Sequence, residues 1–173
     1  MLIIRKERET DYNEVYQLIS TSFATNPDDE GDTADYLNAV RKKETFIPEL
    51  SMVAENGDGK IVGQIVLYKI TINAPGKIST GLVLSPICVH PDYFRRGIAS
   101  AMMRKTFVAA ENMGYSCVFL CGNPDFYNKF GFLPTHRFGI YHVKDDTKKA
   151  EWCMVRELFE GALCGINGTI DIQ

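Results

Sequence analysis

The amino-acid sequence predicts an α+β fold around a central mixed sheet, and three features carry that reading. The stretch 60–72, KIVGQIVLYKITI, is dense in β-branched residues and, with SMVAEN and the turn-forming GDG before it, reads as a β-hairpin. The stretch 115–121, YSCVFLC, is short and wholly apolar, as expected of a strand buried on both faces by a strand-helix-strand crossover. Before it, Ala99, Met103, Phe107 and Ala110 recur as one helical stripe flanked by Ile98 and Met102.

Taken in order, residues 2–5 read as a first strand, and TDYNEVYQLISTSFA follows with Tyr12, Val15, Tyr16, Leu18, Ile19 and Phe23 at helical spacing. Asp11 and Glu14, three apart, are expected to start that helix as a capping box. TNPDDEGD is a turn-rich acidic stretch; TADYLNAVRK supplies a short second helix, and FIPE is expected to break it before the sheet begins at residue 51. A further strand, GLVLSPICV (81–89), lies beyond NAPGK and carries Pro86, which cannot donate to a ladder, so a bulge or splayed edge is expected there. The next helix begins near Arg96 and ends at Gly114. After YSCVFLC come strand-like GIYHV and AEWCMVREL and a Gly-rich tail, with no repeat or low-complexity segment.

Composition limits the function. At 173 residues and 45% hydrophobic, the chain suits one core, so a single domain over 1–173 is expected. A formal charge of −3 with Lys and Arg spread along the chain offers no basic stripe for nucleic acid. MLII runs at once into RKERE, too short for a signal peptide or a spanning helix, which points to a cytoplasmic protein without a membrane partner. Five cysteines, at 88, 117, 121, 153 and 164, show no CxxC spacing, which argues for reduced thiols and against a zinc or other metal site. Cys88 with His90 on one strand invites a thiol-imidazole nucleophile, but strand cysteines are mostly packing residues, as Cys117 and Cys121 are expected to be.

The chemistry concentrates in HPDYFRRGIASAMM (90–103), where an apolar strand ends and a helix begins. Such a junction presents free backbone N–H groups at the positive end of a helix, which makes it an anion site. Gly97 and Ala99 let a phosphate approach the backbone, Arg95 and Arg96 add charge, and Ser100 adds a hydroxyl. The reading is of a pyrophosphate site; neither GxxxxGK[ST] nor GxGxxG occurs, so a P-loop and a dinucleotide fold are excluded.

The run LSPICVHPDYFRRGIASAMM, followed by GYSCVFLCGNPDFYNKFGF, resembles the Gcn5-related N-acetyltransferase (GNAT) superfamily, especially its YhbS-type branch. Gly97 and Ala99 match the last two fixed positions of that superfamily's Q/R-x-x-G-x-G/A loop, and Phe94 departs from the first. NPDFYNKFGF resembles the segment after its fifth strand, and VRELFEGALCGINGT the tail of the YhbS-type branch. The resemblance implies a GNAT-like fold with a mostly antiparallel sheet splayed between the fourth and fifth strands, and acetyl-CoA as cosubstrate. Under it, backbone groups of Ile87, Cys88 and Val89 pair with the pantetheine amides and one of them stabilises the oxyanion. Arg95, Arg96, Gly97, Ile98, Ala99 and Ser100 surround the pyrophosphate, and Asn123 hydrogen-bonds the pantetheine region. Tyr127 is the expected general acid for the leaving thiolate.

The implied activity is acetyl transfer from acetyl-CoA directly to a primary amine of a small molecule or protein, by a monomer or homodimer. Residues 81–86 contain no carboxylate to act as base, and Glu44, Asp125, His136 and the acids of 28–35 are the candidates elsewhere. Those acids, Asp28, Asp29, Glu30, Asp32 and Asp35, form a rim suited to a cationic amine. Two other readings stay open: an acyl-CoA-binding sensor that does not need Tyr127, and a toxin acting on aminoacyl-tRNA, against which the missing basic face argues.

Overall fold

The computed structural model describes residues 1–24, 26, 27 and 29–173. The chain divides into two compact units: residues 1–68 with 85–109, and residues 69–84 with 110–173.

In the first unit, β1 (Ile3–Lys6) pairs antiparallel with β2 (Phe46–Glu55), which pairs antiparallel with β3 (Ile61–Ala74). Strand β2 starts earlier than expected and includes FIPE. The register jumps from Phe46↔Tyr68 to Ser51↔Val66, and Pro48 falls within that irregular stretch, where no ladder N–H is demanded of it.

Alternation along β3 serves two layers. On one side, a Cβ built at Gly63 would lie 2.9 Å from Met102 Cε, so α3 (Ile98–Asn112) lies close over that face, as the predicted methionine stripe requires. On the other side, Val53 and Val66 pack with Val15, Leu18 and Ile19 of α1 (Tyr12–Phe23) and with Ala34 and Leu37 of α2 (Thr33–Val40). Burying such aliphatic side chains contributes about 1.5–3 kcal/mol each.

The expected Asp11/Glu14 capping box does not form. Asp11 instead accepts the Arg8 N–H at 2.8 Å and pairs with Arg5 at 2.6 Å, and Glu14 accepts the Ile61 N–H at 2.8 Å. Asp11 thus caps the short turn Glu9–Asp11 rather than the helix, and Glu14 meets a donor that tertiary packing brought to it. A second ionic group is more deeply placed: Arg41 pairs with Glu7, which also accepts from Ser51 at 2.7 Å, and the Arg41 guanidinium stands 3.9 Å over the Tyr12 ring.

In the second unit, residues 69–74 of β3 and the first part of β4 (Lys77–Val89) join β5 (Cys117–Cys121), β8 (Cys153–Glu157) and β6 (Leu133–Pro134). Pairing of β4 with β5 is parallel and that of β5 with β8 antiparallel, so the sheet is mixed as predicted. The β4–β5 register comprises Leu82↔Val118 and Val83↔Phe119 alone among the described residues, though β4 continues to Val89 and β5 to Cys121. Shortly beyond Val83, the Ser85–Pro86 peptide is cis.

Two glycines let layers approach in this unit. A Cβ at Gly81 would lie 2.9 Å from the Phe119 ring, and one at Gly168 would lie 2.3 Å from the Asn73 carbonyl oxygen. Gly168 opens β9 (Gly168–Ile170), which pairs with β3 at Asn73↔Thr169 and in parallel with β7 (Ile140–His142). The tail that reads as Gly-rich loop therefore contains a strand. Cys117 is buried as expected, whereas Cys121 is exposed, because β5 runs out of cover at its last residue. No helix among the described residues is long and apolar enough to cross a membrane.

Candidate active site

Most of the predicted binding residues fall in the first unit, where β4 ends and α3 begins. Cys88 points its side chain into the core under α1, with its thiol pushed up to about 12 by burial against weaker hydrogen bonds from Ser22 and the Gln64 backbone. A thiol with that pKa is protonated at neutral pH, so Cys88 with His90 makes no nucleophile. What Ile87, Cys88 and Val89 can offer a ligand is their backbone. The Val89 carbonyl already accepts from Ser22 Oγ at 3.3 Å, and the His90 N–H donates to the Val62 carbonyl at 2.8 Å.

The chain then makes a short turn, Pro91–Tyr93, capped by His90 Nδ1 accepting from the Asp92 N–H at 3.3 Å. Arg95 (φ +60°) and Gly97 (φ +74°) are both left-handed. Backbone of this kind turns successive N–H groups toward one concavity and favours anions. The Gly97 carbonyl accepts the Ala101 N–H at 3.0 Å, which makes Gly97 the cap of α3. The N–H groups of Ile98, Ala99 and Ser100 are therefore the first of the helix, without intrahelical acceptors.

Space and charge agree with that backbone. A Cβ built at Gly97 meets nothing within 4 Å, so the approach to these N–H groups is open. Ile98 is buried, and only its backbone can serve a ligand; Ala99 and Ser100 are half-buried, and Arg95 and Arg96 are exposed. Arg96 is held back by donating to the Asp92 carbonyl at 2.9 Å and by lying 4.9 Å over the Tyr93 ring. Arg95 makes no ion pair among the described residues, which leaves its guanidinium available to an anion. These features fit a pyrophosphate: small residues at the approach, free amides, one exposed and one tethered arginine.

One polar group of this unit escaped the sequence reading. Gln64 is wholly buried on β3, and neither end of its amide has a hydrogen-bond partner among the described residues. Its neighbours in sequence are apolar, so nothing in the strand pattern marks it. The Tyr36 and Tyr68 hydroxyls hydrogen-bond each other, a pairing likewise invisible in sequence.

The remaining predicted residues lie in the second unit, in the turn after β5. Asn123 is exposed and caps the short α4 (Pro124–Tyr127), its Oδ1 accepting the Asp125 N–H at 2.9 Å. That role occupies the amide oxygen and leaves the Nδ2 donors for a ligand carbonyl. Tyr127 stands edge-on to Phe126 (4.9 Å between centroids) and to Phe132 (5.8 Å). Burial pushes its hydroxyl above the ordinary 10, so the phenol stays protonated across the neutral range. Gly122 makes room for it: a Cβ there would sit 2.5 Å from Tyr127 Cε2.

No carboxylate stands out as a base. Glu44 and Asp125 are exposed, His136 is hydrogen-bonded to Glu151 at 3.0 Å, and Asp35 accepts from the Tyr16 hydroxyl at 3.2 Å. Asp29 accepts from Thr33, and Asp28, counted in the acidic rim, lies outside the described residues. Among the described residues, no group of three His, Cys, Asp or Glu is placed to hold a metal ion.

Comparison with known proteins bears on the family and the fold. The acetyltransferase (GNAT) domain family matches residues 3–135. The uncharacterized N-acetyltransferase YjhQ of Escherichia coli K12 is 30% identical over 103 residues, covering 58% of this chain and 55% of that protein, so the match spans about half the length of that relative. Among solved structures, the GNAT family N-acetyltransferase YhbS of Escherichia coli in complex with CoA superposes with a TM-score of 0.86 at 21% identity, over 99% of this chain and 89% of that one. A GNAT family acetyltransferase of Brucella melitensis in complex with acetyl-CoA gives 0.79 at 22%, over 100% and 96%. At these identities the two structures establish the fold.

Proposed function

Since the chain belongs to the GNAT acetyltransferase family, we propose that it acts as a single cytoplasmic N-acetyltransferase domain over residues 1–173 that moves the acetyl group of acetyl-CoA directly to a primary amine. The observation that carries the reading is the open, left-handed Gly97 at the start of α3, with Arg95 and Arg96 beside it.

In this reading the first N–H groups of α3 and the two arginines hold the pyrophosphate, while backbone groups of Ile87, Cys88 and Val89 and the Asn123 amide bind the pantetheine. Acetyl-CoA supplies an activated acyl group as a thioester. One amide of 87–89 stabilises the negative charge that develops on the acyl oxygen, as fixed donors do when aimed at developing charge. Tyr127 is the catalytic acid, and its role is to hand a proton to the departing sulfur. Because burial raises the phenol above its ordinary value, the proton stays on Tyr127 until negative charge develops on the departing sulfur. The acceptor is a cationic amine, drawn by Asp29, Glu30, Asp32 and Asp35.

Calorimetric titration with acetyl-CoA and with CoA tests the reading on the intact protein and on Gly97→Trp, whose side chain would cover the open amides. Saturable binding to the intact protein that the variant loses is the expected result, followed by screening of amines by thiol release. An intact, folded protein that binds neither would overturn the cofactor assignment and the enzyme reading with it.

A further inference from the structure

We propose that Cys121 and Cys153 are a redox-active pair that a hydroperoxide converts into an intramolecular disulfide. The two residues are directly opposite each other at the end of the antiparallel β5–β8 ladder. The next pair outward is hydrogen-bonded, since the Gly122 N–H donates to the Trp152 carbonyl at 2.8 Å. Pairs alternate along an antiparallel ladder, so Cys121 and Cys153 occupy a non-hydrogen-bonded pair, in which Cα atoms stand about 4.5 Å apart and side chains are closest. That separation lies within the range of about 4.4–6.8 Å that a disulfide spans. Residues in such a pair project on the same face.

The two sulfurs already interact. The Cys121 thiol is pushed up, chiefly by Cys153 and then by burial, and the Cys153 thiol is pulled below its ordinary 9.0, chiefly by Cys121. Lys144 and Asp145 are the charged groups nearby, with opposite effects on the two thiols. Access is asymmetric: Cys121 is exposed and Cys153 fully buried. An oxidant in solvent therefore meets Cys121, while the lowered Cys153 thiol is suited to resolve the product.

The chemistry balances with a hydroperoxide as oxidant. The Cys121 sulfur takes one oxygen from hydrogen peroxide as the O–O bond breaks, giving a sulfenic acid and a first water. The Cys153 sulfur then attacks the Cys121 sulfur; the S–S bond forms, the S–O bond breaks, and hydroxide leaves with the Cys153 proton as a second water. The two thiols lose two electrons, and the peroxide is reduced. The remaining cysteines are poorly placed to compete: Cys88 and Cys117 are buried away from an oxidant in solvent, and Cys164 is exposed without a register partner. The crosslink would lie beside Gly122, which packs on the Tyr127 ring, and so would anchor the strand end from which the Asn123–Tyr127 turn departs.

The test treats the full chain with limiting hydrogen peroxide under native conditions, blocks residual thiols with N-ethylmaleimide in denaturant, and maps the peptides by mass spectrometry. The free-thiol count should fall from five to three, with a Cys121–Cys153 crosslink that dithiothreitol reverses. Cys121→Ser, a surface change, should abolish the crosslink and leave Cys153 reduced. Sulfinic acid on Cys121 without a crosslink, or a crosslink through Cys164, would overturn the proposal. Neither result depends on whether the protein binds acetyl-CoA.

Discussion

Replacing Gly122 with alanine should disable Tyr127 without altering it. The added Cβ would lie 2.5 Å from Tyr127 Cε2, 2.9 Å from Cδ2 and 3.3 Å from Leu120 Cδ1. Carbon atoms settle at about 3.5–4.0 Å, so the ring edge must retreat by about 1 Å. Turning the ring about its own axis would clear the edge and spare the hydroxyl, but Phe126 and Phe132 stand edge-on to the ring, at interplanar angles of 87° and 71°. The ring must therefore move as a body and take its hydroxyl with it. Gly122 is not left-handed, so alanine is tolerated by the backbone and the steric effect is isolated. A displacement of about 1 Å costs about 10²-fold in rate, and overpacking of this kind destabilises by about 1–3 kcal/mol, or roughly 3–10 °C in Tm. The assay is kcat by thiol release on an amine found by screening, beside thermal melts and CoA titration of the same samples. Gly122→Ala and Tyr127→Phe should each lose turnover with CoA affinity kept, and the double variant should be no worse than Tyr127→Phe alone. A Gly122→Ala enzyme with full kcat, beside an impaired Tyr127→Phe, would refute the steric argument.

Other expectations follow from single groups. Tyr127→Phe should lower kcat by about 10²-fold or more, and because burial raises the phenol, the intact enzyme should keep its acid up to pH 10; unchanged turnover in the variant would remove the assigned role. Arg95→Gly should relieve a left-handed arginine, so its melting point should hold or rise while CoA binding weakens; a lower melting point would show that the turn depends on the side chain. Asp11 titrates below its ordinary 3.8, chiefly through its bond from Arg5, so its stabilisation is complete above that value in the unfolded chain and is lost as pH falls through the lower folded value. Acid melts of Asp11→Asn should therefore converge on the intact protein at low pH and diverge above it. Iodoacetamide at pH 8 should label Cys164 and spare Cys88, whose thiol sits at about 12; rapid labelling of Cys88 in folded protein would contradict its burial.

Residue pattern alone determined the α+β class, the helix from the late nineties to Gly114, the buried strand YSCVFLC and the glycine turn that starts that helix, because each rests on local periodicity or on a short run whose chemistry is complete in itself. Gly97 is legible for that reason: its freedom is a property of one residue. The carboxylates were not. Asp11 and Glu14 have the spacing of a cap, yet Asp11 caps the turn before the helix by accepting the Arg8 N–H and pairs with Arg5, while Glu14 is claimed by the Ile61 amide, a partner 47 residues away that no local pattern contains. Pro48 reads as a breaker, and only the register of β2 on β3 shows that the strand passes through it. The orphaned amide of Gln64, the room that Gly122 makes for Tyr127 and the meeting of Cys121 with Cys153 belong to tertiary structure alone. Each depends on which strand lies beside which and in what register, and register is set by packing across the sheet, a quantity that no single stretch of sequence contains.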